Sequence, residues 1–246
     1  MAVHWHIHSF EILPSTQDVA KQYLNEGRHL PLAVQADVQT AGRGRSGNTW
    51  VSRKGNLFSS LVIPLKNVNA QDAGQYSFLA AVALMNVLTD LGITDIQNKW
   101  PNDVLVGGKK IAGILLESDI APDGSLKSII IGVGVNLVAA PEGAVYVQQF
   151  TNIVMQPLEF LDKFTVQIQT QLDQMAVSGF APIRKTWLSH AYGLGTDIRV
   201  RLSKETFFGE FLGLDESGAL LVKVAGEATH RTIHSGEVFF RDIKGF

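Results

Sequence analysis

The chain has no cysteine in its 246 residues. That excludes disulfides, a thiol nucleophile and cysteine-ligated zinc. Neither sign of charge is in excess, since 21 Lys and Arg stand against 23 Asp and Glu for a net charge of −2. A general nucleic-acid binder or membrane-surface protein needs a basic surplus that is missing here. Long apolar runs are missing too, so no segment reads as a bilayer span. Met1 to Phe10 lacks the basic stretch and apolar core of a secretion signal. There is no low-complexity tract and no repeat at solenoid spacing. What is present is apolar material, 46% of residues, enough for one large domain or a large domain with a small one. A cytoplasmic location is the expectation.

The most informative stretch is Gln39-Thr40-Ala41-Gly42-Arg43-Gly44-Arg45-Ser46-Gly47-Asn48-Thr49-Trp50. Glycines let the backbone take positive φ and approach a ligand closely. Successive N–H groups in such a loop form an anion-binding concavity. Arg43 and Arg45 add forked donors that match carboxylate and phosphate oxygens. A surface loop with solvated arginines is the plainer alternative. A disordered Gly-Arg tail is disfavoured, because the motif is short and lies between apolar segments. Without a ligand the loop is expected to be mobile.

In chain order, His4, His6 and His8 alternate with Trp5 and Ile7. This reads as a half-exposed first strand with its histidines on one face, rather than as a metal site. A helix follows from Pro14 to about Asn25, with Val19, Ala20, Tyr23 and Leu24 as its apolar stripe and Gly27 to end it. Ser15 and Asp18 suggest a capping box, and the same helix start offers hydroxyls and N–H groups to a ligand. Strands are expected at Pro31–Ala36 and Asn56–Leu65, and a long helix over Gln71–Leu91. At Lys99-Trp100-Pro101-Asn102-Asp103 a strand breaks into a bend, because Pro101 excludes a central-strand position. The bend presents Lys99, Asn102 and Asp103.

Gly107-Gly108 signals a hairpin. Its second strand is apolar on both faces, and Lys110 is expected on the face of Ala112, Ile114 and Leu116, where it needs an anionic partner or a path to water. Gly113 in mid-strand suggests close approach by a ligand or another backbone, and Gly132 and Gly134 would be wasteful in a plain core strand. Asn136 ends the strand over Ser128–Leu137 and must find partners. Helices are expected over Pro157–Met175 and Ala181–Ala191. Beyond Gly193-Leu194-Gly195 the period changes to two, and five short strands, the last at Val238–Phe240, suggest a small antiparallel barrel. No Gly-x-x-x-x-Gly-Lys-Ser/Thr exists at Gly107–Lys110, so a P-loop is excluded.

These pieces, in this order, resemble the biotin–protein ligase family, also called holocarboxylase synthetases. Gly42-Arg43-Gly44-Arg45, Lys99 to Asp103 and Lys110-Ile111-Ala112-Gly113 carry the resemblance most specifically. It implies an α/β (α+β) fold: a mixed sheet flanked by helices, forming a biotin- and ATP-binding catalytic domain over residues 1–192, with a small SH3-like β-barrel over 193–246. It also implies the chemistry. Biotin and ATP would form biotinyl-5′-AMP with Mg²⁺, and the biotinyl group would pass to a lysine of a biotin carboxyl carrier domain of acetyl-CoA carboxylase or a related biotin enzyme. By motif, Ser15, Thr16, Gln17, Gln39, Gly42, Arg43, Gly44, Arg45, Trp50, Lys110, Gly113 and Leu115 are implied at biotin. Arg43, Arg45, Asn48, Trp50, Lys99, Asn102 and Asn136 are implied at ATP, and Lys110 and Arg45 as the catalytic pair.

Gln17 stands where the family often has asparagine, and Asn48 where many bacterial members have arginine. Only 14 residues precede Ser15, so the winged-helix domain of the repressor-type members is not expected, nor is DNA or membrane binding. A monomer or weak homodimer is expected. Rival readings are a lipoate–protein ligase or octanoyltransferase, which lack the Gly-Arg-Gly-Arg loop, and a non-catalytic biotin or nucleotide sensor.

Overall fold

The computed structural model describes residues 4–66 and 68–240. The outer ends of the two expected domains, residues 1–3 and 241–246, lie outside the described residues. The strands are β1 (His6–Leu13), β2 (Leu32–Gln39), β3 (Leu57–Pro64), β4 (Ile96–Lys99), β5 (Asp103–Val106), β6 (Lys109–Ile120), β7 (Leu126–Val135), β8 (Asp197–Arg201), β9 (Thr206–Leu214), β10 (Leu220–Lys223), β11 (Arg231–Ile233) and β12 (Glu237–Phe240). The helices are α1 (Thr16–Asn25), α2 (Gln75–Asp90), α3 (Pro157–Ser178) and α4 (Ala181–Ser189).

Strands β1 to β7 form one mixed sheet in the order β1-β2-β3-β7-β6-β5-β4, parallel at β1–β2 and antiparallel elsewhere. Helix α1 lies on one face, where Ala20 and Tyr23 pack on Leu32, Val34, Val62 and Ile130. Helices α2, α3 and α4 cover the other face, over Leu61, Ile114, Ile129, Ile131 and Val133. Alternation along β7 explains the division: odd positions feed the large core, and Ile130, Gly132 and Gly134 face the α1 side. Because α1 is short, that side is only partly covered. The glycine-bearing ends of the central strands stay open beyond its N-terminus.

Local signals account for the boundaries. Gly27 follows α1 at φ +69°, with its N–H on the Leu24 carbonyl. Helix α2 is buried on nearly every side, as its apolar composition requires. Pro157 opens α3, where Gln156 and Glu159 form a capping box. Both hairpin glycines have positive φ, Gly107 +58° and Gly108 +73°, as a tight two-residue turn demands.

Strands β8 to β12 form an antiparallel sheet in the order β11-β10-β9-β8-β12. The expected barrel is not closed: among the described residues β11 and β12 make no ladder with each other. Strand β11 has three residues, which limits what it offers a partner strand. The segment at β12 lines a cavity shared with the large sheet.

Candidate active site

That cavity has a volume of about 420 Å³. Its floor is the α1 side of the sheet, where the register brings Leu115 and Ser60 against Gly132, and Gly113 and Phe58 against Gly134. Gly113 and Gly134 are thus neighbours with no side chains, and the Trp50 indole lies in the space. A Cβ on Gly134 would stand 2.4 Å from the ring and one on Gly113 2.8 Å. The missing side chains allow close approach, as expected for Gly113, and the approaching group at Gly113 and Gly134 is the loop's own tryptophan.

The Gly-Arg loop folds as a small hairpin. Gly44 N–H donates to Asn48 O at 2.7 Å, Trp50 N–H to Gly42 O at 2.9 Å, and Arg43 bridges Thr49. Gly42 is buried under this turn, where a Cβ would meet the Trp50 carbonyl at 2.7 Å. It shapes the loop and is not among the lining residues.

One end of the cavity is neutral and polar. Thr16 N–H donates to Gln39 Oε1 at 2.8 Å, Thr16 Oγ1 and Ser60 Oγ lie 2.8 Å apart, and Ser60 Oγ donates to Gln17 Oε1 at 2.8 Å. Ser15 adds a buried hydroxyl group in N-cap geometry, but its side chain makes no cap bond. The expected Ser15–Asp18 capping box is therefore absent. Asp18 pairs instead with Arg43 at 2.8 Å, which takes the carboxylate away from the helix start.

The other end is charged. Lys110 Nζ is 2.6 Å from Asp103 Oδ1 and 5.2 Å from the centre of the Trp50 ring. The lysine lies on the face of Gly113 and Leu115, opposite to the expected face of Ala112, Ile114 and Leu116. The β5–β6 register shifts between Val104 and Leu105, leaving Ile111 as an extra residue. Such a bulge interrupts the alternation and turns Lys110 into the cavity. Arg45 donates to Asn102 Oδ1 at 3.4 Å. Burial lowers the pKa of its guanidinium, and the carboxylates of Asp103 and Glu237 pull it back up. Arg43 is exposed and bound to Asp18 and, at 3.3 Å, to Glu117.

The cavity thus gathers Ser15, Thr16, Gln17, Gln39, Arg43, Gly44, Arg45, Asn48, Trp50, Lys99, Asn102, Lys110, Gly113 and Leu115. Asn136 is not among its lining residues. It is buried, with its Nδ2 donating to Val145 O at 3.1 Å, the plain core role. Sequence reasoning missed Ser59 and Ser60, although a Ser-Ser pair inside the apolar run of β3 was a visible signal. It also missed Arg201, Glu237 and Phe239, which β8 and β12 bring to the cavity from far along the chain. Among the described residues no group of three His, Cys, Asp or Glu could hold a metal ion. The His4 and His6 rings meet edge-on at 5.3 Å, and His8 packs on Tyr23.

The site joins a neutral hydrogen-bonding slot to cations on a mixed α/β sheet, with a small β-sheet over one end. The chain belongs to the biotin/lipoate A/B protein ligase family, whose model matches residues 9–136, and the biotin protein ligase C-terminal domain matches residues 193–241. It is similar to the biotin–[acetyl-CoA-carboxylase] ligase of Paracoccus denitrificans, with 40% identity over 84% of this chain and 89% of that one. It is also similar to the bifunctional ligase/repressor BirA of Bacillus subtilis, with 32% identity over 89% of this chain and 69% of that one. Among solved structures, the biotin protein ligase of Aquifex aeolicus in complex with biotin and ATP superposes with a TM-score of 0.80 at 27% identity, covering 96% of this chain and 98% of that one.

Proposed function

We propose that this chain is a biotin–protein ligase that makes biotinyl-5′-AMP and passes the biotinyl group to a lysine of a biotin carboxyl carrier domain. The observation that carries this reading is the meeting of a neutral hydrogen-bonded slot with Lys110 and Arg45 at one glycine floor. Ser15, Thr16, Gln17, Gln39 and Ser60 offer donors and acceptors to the ureido group of biotin. Trp50, seated over Gly113 and Gly134, and Leu115 offer it apolar walls. Lys110 and Arg43 meet the biotin carboxylate and the α-phosphate. Arg45, Lys99, Asn102 and Asn48 serve the nucleotide.

In the first step a carboxylate oxygen attacks the α-phosphorus, the bond to the bridging oxygen breaks, and pyrophosphate leaves. Two anions must be brought together, so cations placed at the developing charge lower the barrier. Arg43 and Lys110 are ion-paired beforehand to Asp18 and Asp103, and substrate oxygens replace those partners. In the second step the carrier's lysine amine attacks the acyl carbon, loses a proton, and AMP leaves. With Trp50 and the loop over the adenylate, water is kept from the mixed anhydride. Mg²⁺ would ride mainly on the nucleotide's phosphates and screen the charge that the attacking carboxylate must approach. In this reading residues 1–192 form the catalytic unit, and 193–246 complete its nucleotide end. The reaction requires no DNA, and a cytoplasmic site of action follows from the acceptor.

The test is intact-mass spectrometry of a purified apo carrier domain incubated with this protein, ATP, Mg²⁺ and biotin, with lipoate and octanoate in parallel. One added biotinyl group in the biotin reaction alone is expected. Acylation by lipoate or octanoate instead, or biotin binding without transfer, would overturn the reading.

A further inference from the structure

Two backbone carbonyls at the bulge that turns Lys110 into the cavity take donors from outside β5. Lys110 O accepts from Val145 N–H at 2.9 Å, and Ile111 O accepts from Asn136 N–H at 2.9 Å. Both donors belong to the segment that follows β7. Asn136 ties them together, because its Nδ2 donates to Val145 O at 3.1 Å and its own carbonyl accepts from Val147 N–H at 2.9 Å. Buried backbone groups need partners, and a bulge disrupts the ladder that would otherwise supply them. This segment therefore closes the bulge from behind.

One side chain anchors the start of the segment. Asn56 stands one residue before β3 and is 1% exposed. Its Oδ1 accepts from the N–H groups of Leu137, Val138 and Ala139 at 2.9, 3.0 and 3.3 Å. Its Nδ2 donates to Ala139 O at 2.8 Å. Successive N–H groups in such a concavity commonly hold an anion; here the chain fills it with its own amide oxygen. An apolar side chain in place of Asn56 would leave those N–H groups without that acceptor. Asn56 is not among the residues that line the cavity, so it bears on a substrate only through what it holds in place.

We propose that Asn56 is a positioning residue for Lys110. It pins residues 137–139, these hold the Asn136 and Val145 donors against the bulge, and the bulge sets the face on which Lys110 emerges. This assignment rests on the ligase reading above, in which the Lys110 ammonium meets the biotin carboxylate and the α-phosphate. A cation displaced from the developing charge loses much of its effect on the barrier.

The experiment is a double-mutant cycle on adenylate formation, followed by pyrophosphate release at saturating biotin and ATP. It compares the full chain, Asn56→Leu, Lys110→Ala and the two combined, with the thermal midpoint of each. Asn56→Leu is expected to lower kcat about tenfold when Lys110 is present. In the Lys110→Ala background it should change the remaining rate by less than about twofold, because the group it positions is gone. Its loss of thermal stability should be the same in both backgrounds, so a merely structural role would not produce the difference in rate. Asn56→Asp keeps the oxygen that accepts the N–H groups and loses the donor to Ala139 O. It should recover part of the rate, leaving a loss of about threefold that again vanishes in Lys110→Ala. If Asn56→Leu gives no folded protein, the aspartate variant carries the same comparison. An unchanged kcat in the variant that folds, or an equal loss with and without Lys110, would overturn the assignment. If the unmodified chain itself released no pyrophosphate, the ligase reading would fail, a result separable from any difference among the variants.

Discussion

The Lys110 ammonium faces Asp103 at 2.6 Å. Replacing it with alanine removes a cation and also leaves a carboxylate facing two anionic substrates. Lys110→Ala should therefore lower the rate of adenylate formation by about a hundredfold or more, measured as pyrophosphate release. Full activity in this variant would sink its catalytic role. Arg45, in the Gly-Arg loop, donates to Asn102 Oδ1. Arg45→Gly should still form adenylate but release it, and intact-mass analysis should show biotin on lysines of an added bystander protein. A third residue-scale prediction concerns Gly134. A Cβ there meets the Trp50 ring at 2.4 Å, so Gly134→Ala should dislodge the indole and raise the KM for biotin about tenfold. Adding Trp50→Ala should make the alanine at 134 nearly silent, because the clash has lost its partner. Additive effects of the two substitutions would argue against the contact.

At the scale of elements, α1 shows how a plausible local device gives way to the site. Ser15 has cap backbone geometry without a side-chain cap bond. Ser15→Ala should thus change folding stability by less than about 0.5 kcal/mol in urea titrations, where loss of a true cap costs about 1 kcal/mol. Its effect should appear in the KM for biotin, and a stability loss with unchanged KM would reverse this assignment. Periodicity and punctuation made most elements legible. Gly27, Gly107-Gly108, Pro157 and the change to period two after Gly195 all mark real boundaries. The face of Lys110 was not legible. One extra residue at Ile111 inverts the alternation, and a bulge is set by pairing with β5, which no local pattern encodes. Asn136 was expected to need partners, and the ATP role came only from the resemblance; the chain after β7 brings Val145 to satisfy its amide, and it does not line the cavity.

For the whole molecule, the motifs of the site were legible because their residue types carry the chemistry within short stretches. The contribution of Arg201, Glu237 and Phe239 was not, because it depends on how the second sheet docks. That docking is extensive. One apolar cluster runs from Leu79 and Leu84 of α2 through Trp187 of α4 to Val200, Phe211, Leu214 and Leu220 of the second sheet. Trp100 Nε1 donates to Gly218 O at 3.2 Å, and Arg184 gives two bonds to Leu214 O at 3.0 and 2.6 Å. Trp100 belongs to the bend that carries Lys99 and Asn102, so the second sheet also fixes that part of the cavity lining. A core shared in this way leaves the second sheet without a hydrophobic centre of its own, while the first part keeps only the small α1 cluster to itself. The full chain should therefore unfold in one cooperative calorimetric transition, with the measured and van't Hoff enthalpies equal. A chain ending at residue 192 would expose α2 and α4 surface that the second sheet now buries, and it should lack a cooperative transition. Two resolved transitions in the full chain, or a cooperatively folded 1–192 fragment, would show instead that the sheets are independent and that the cavity forms by loose docking.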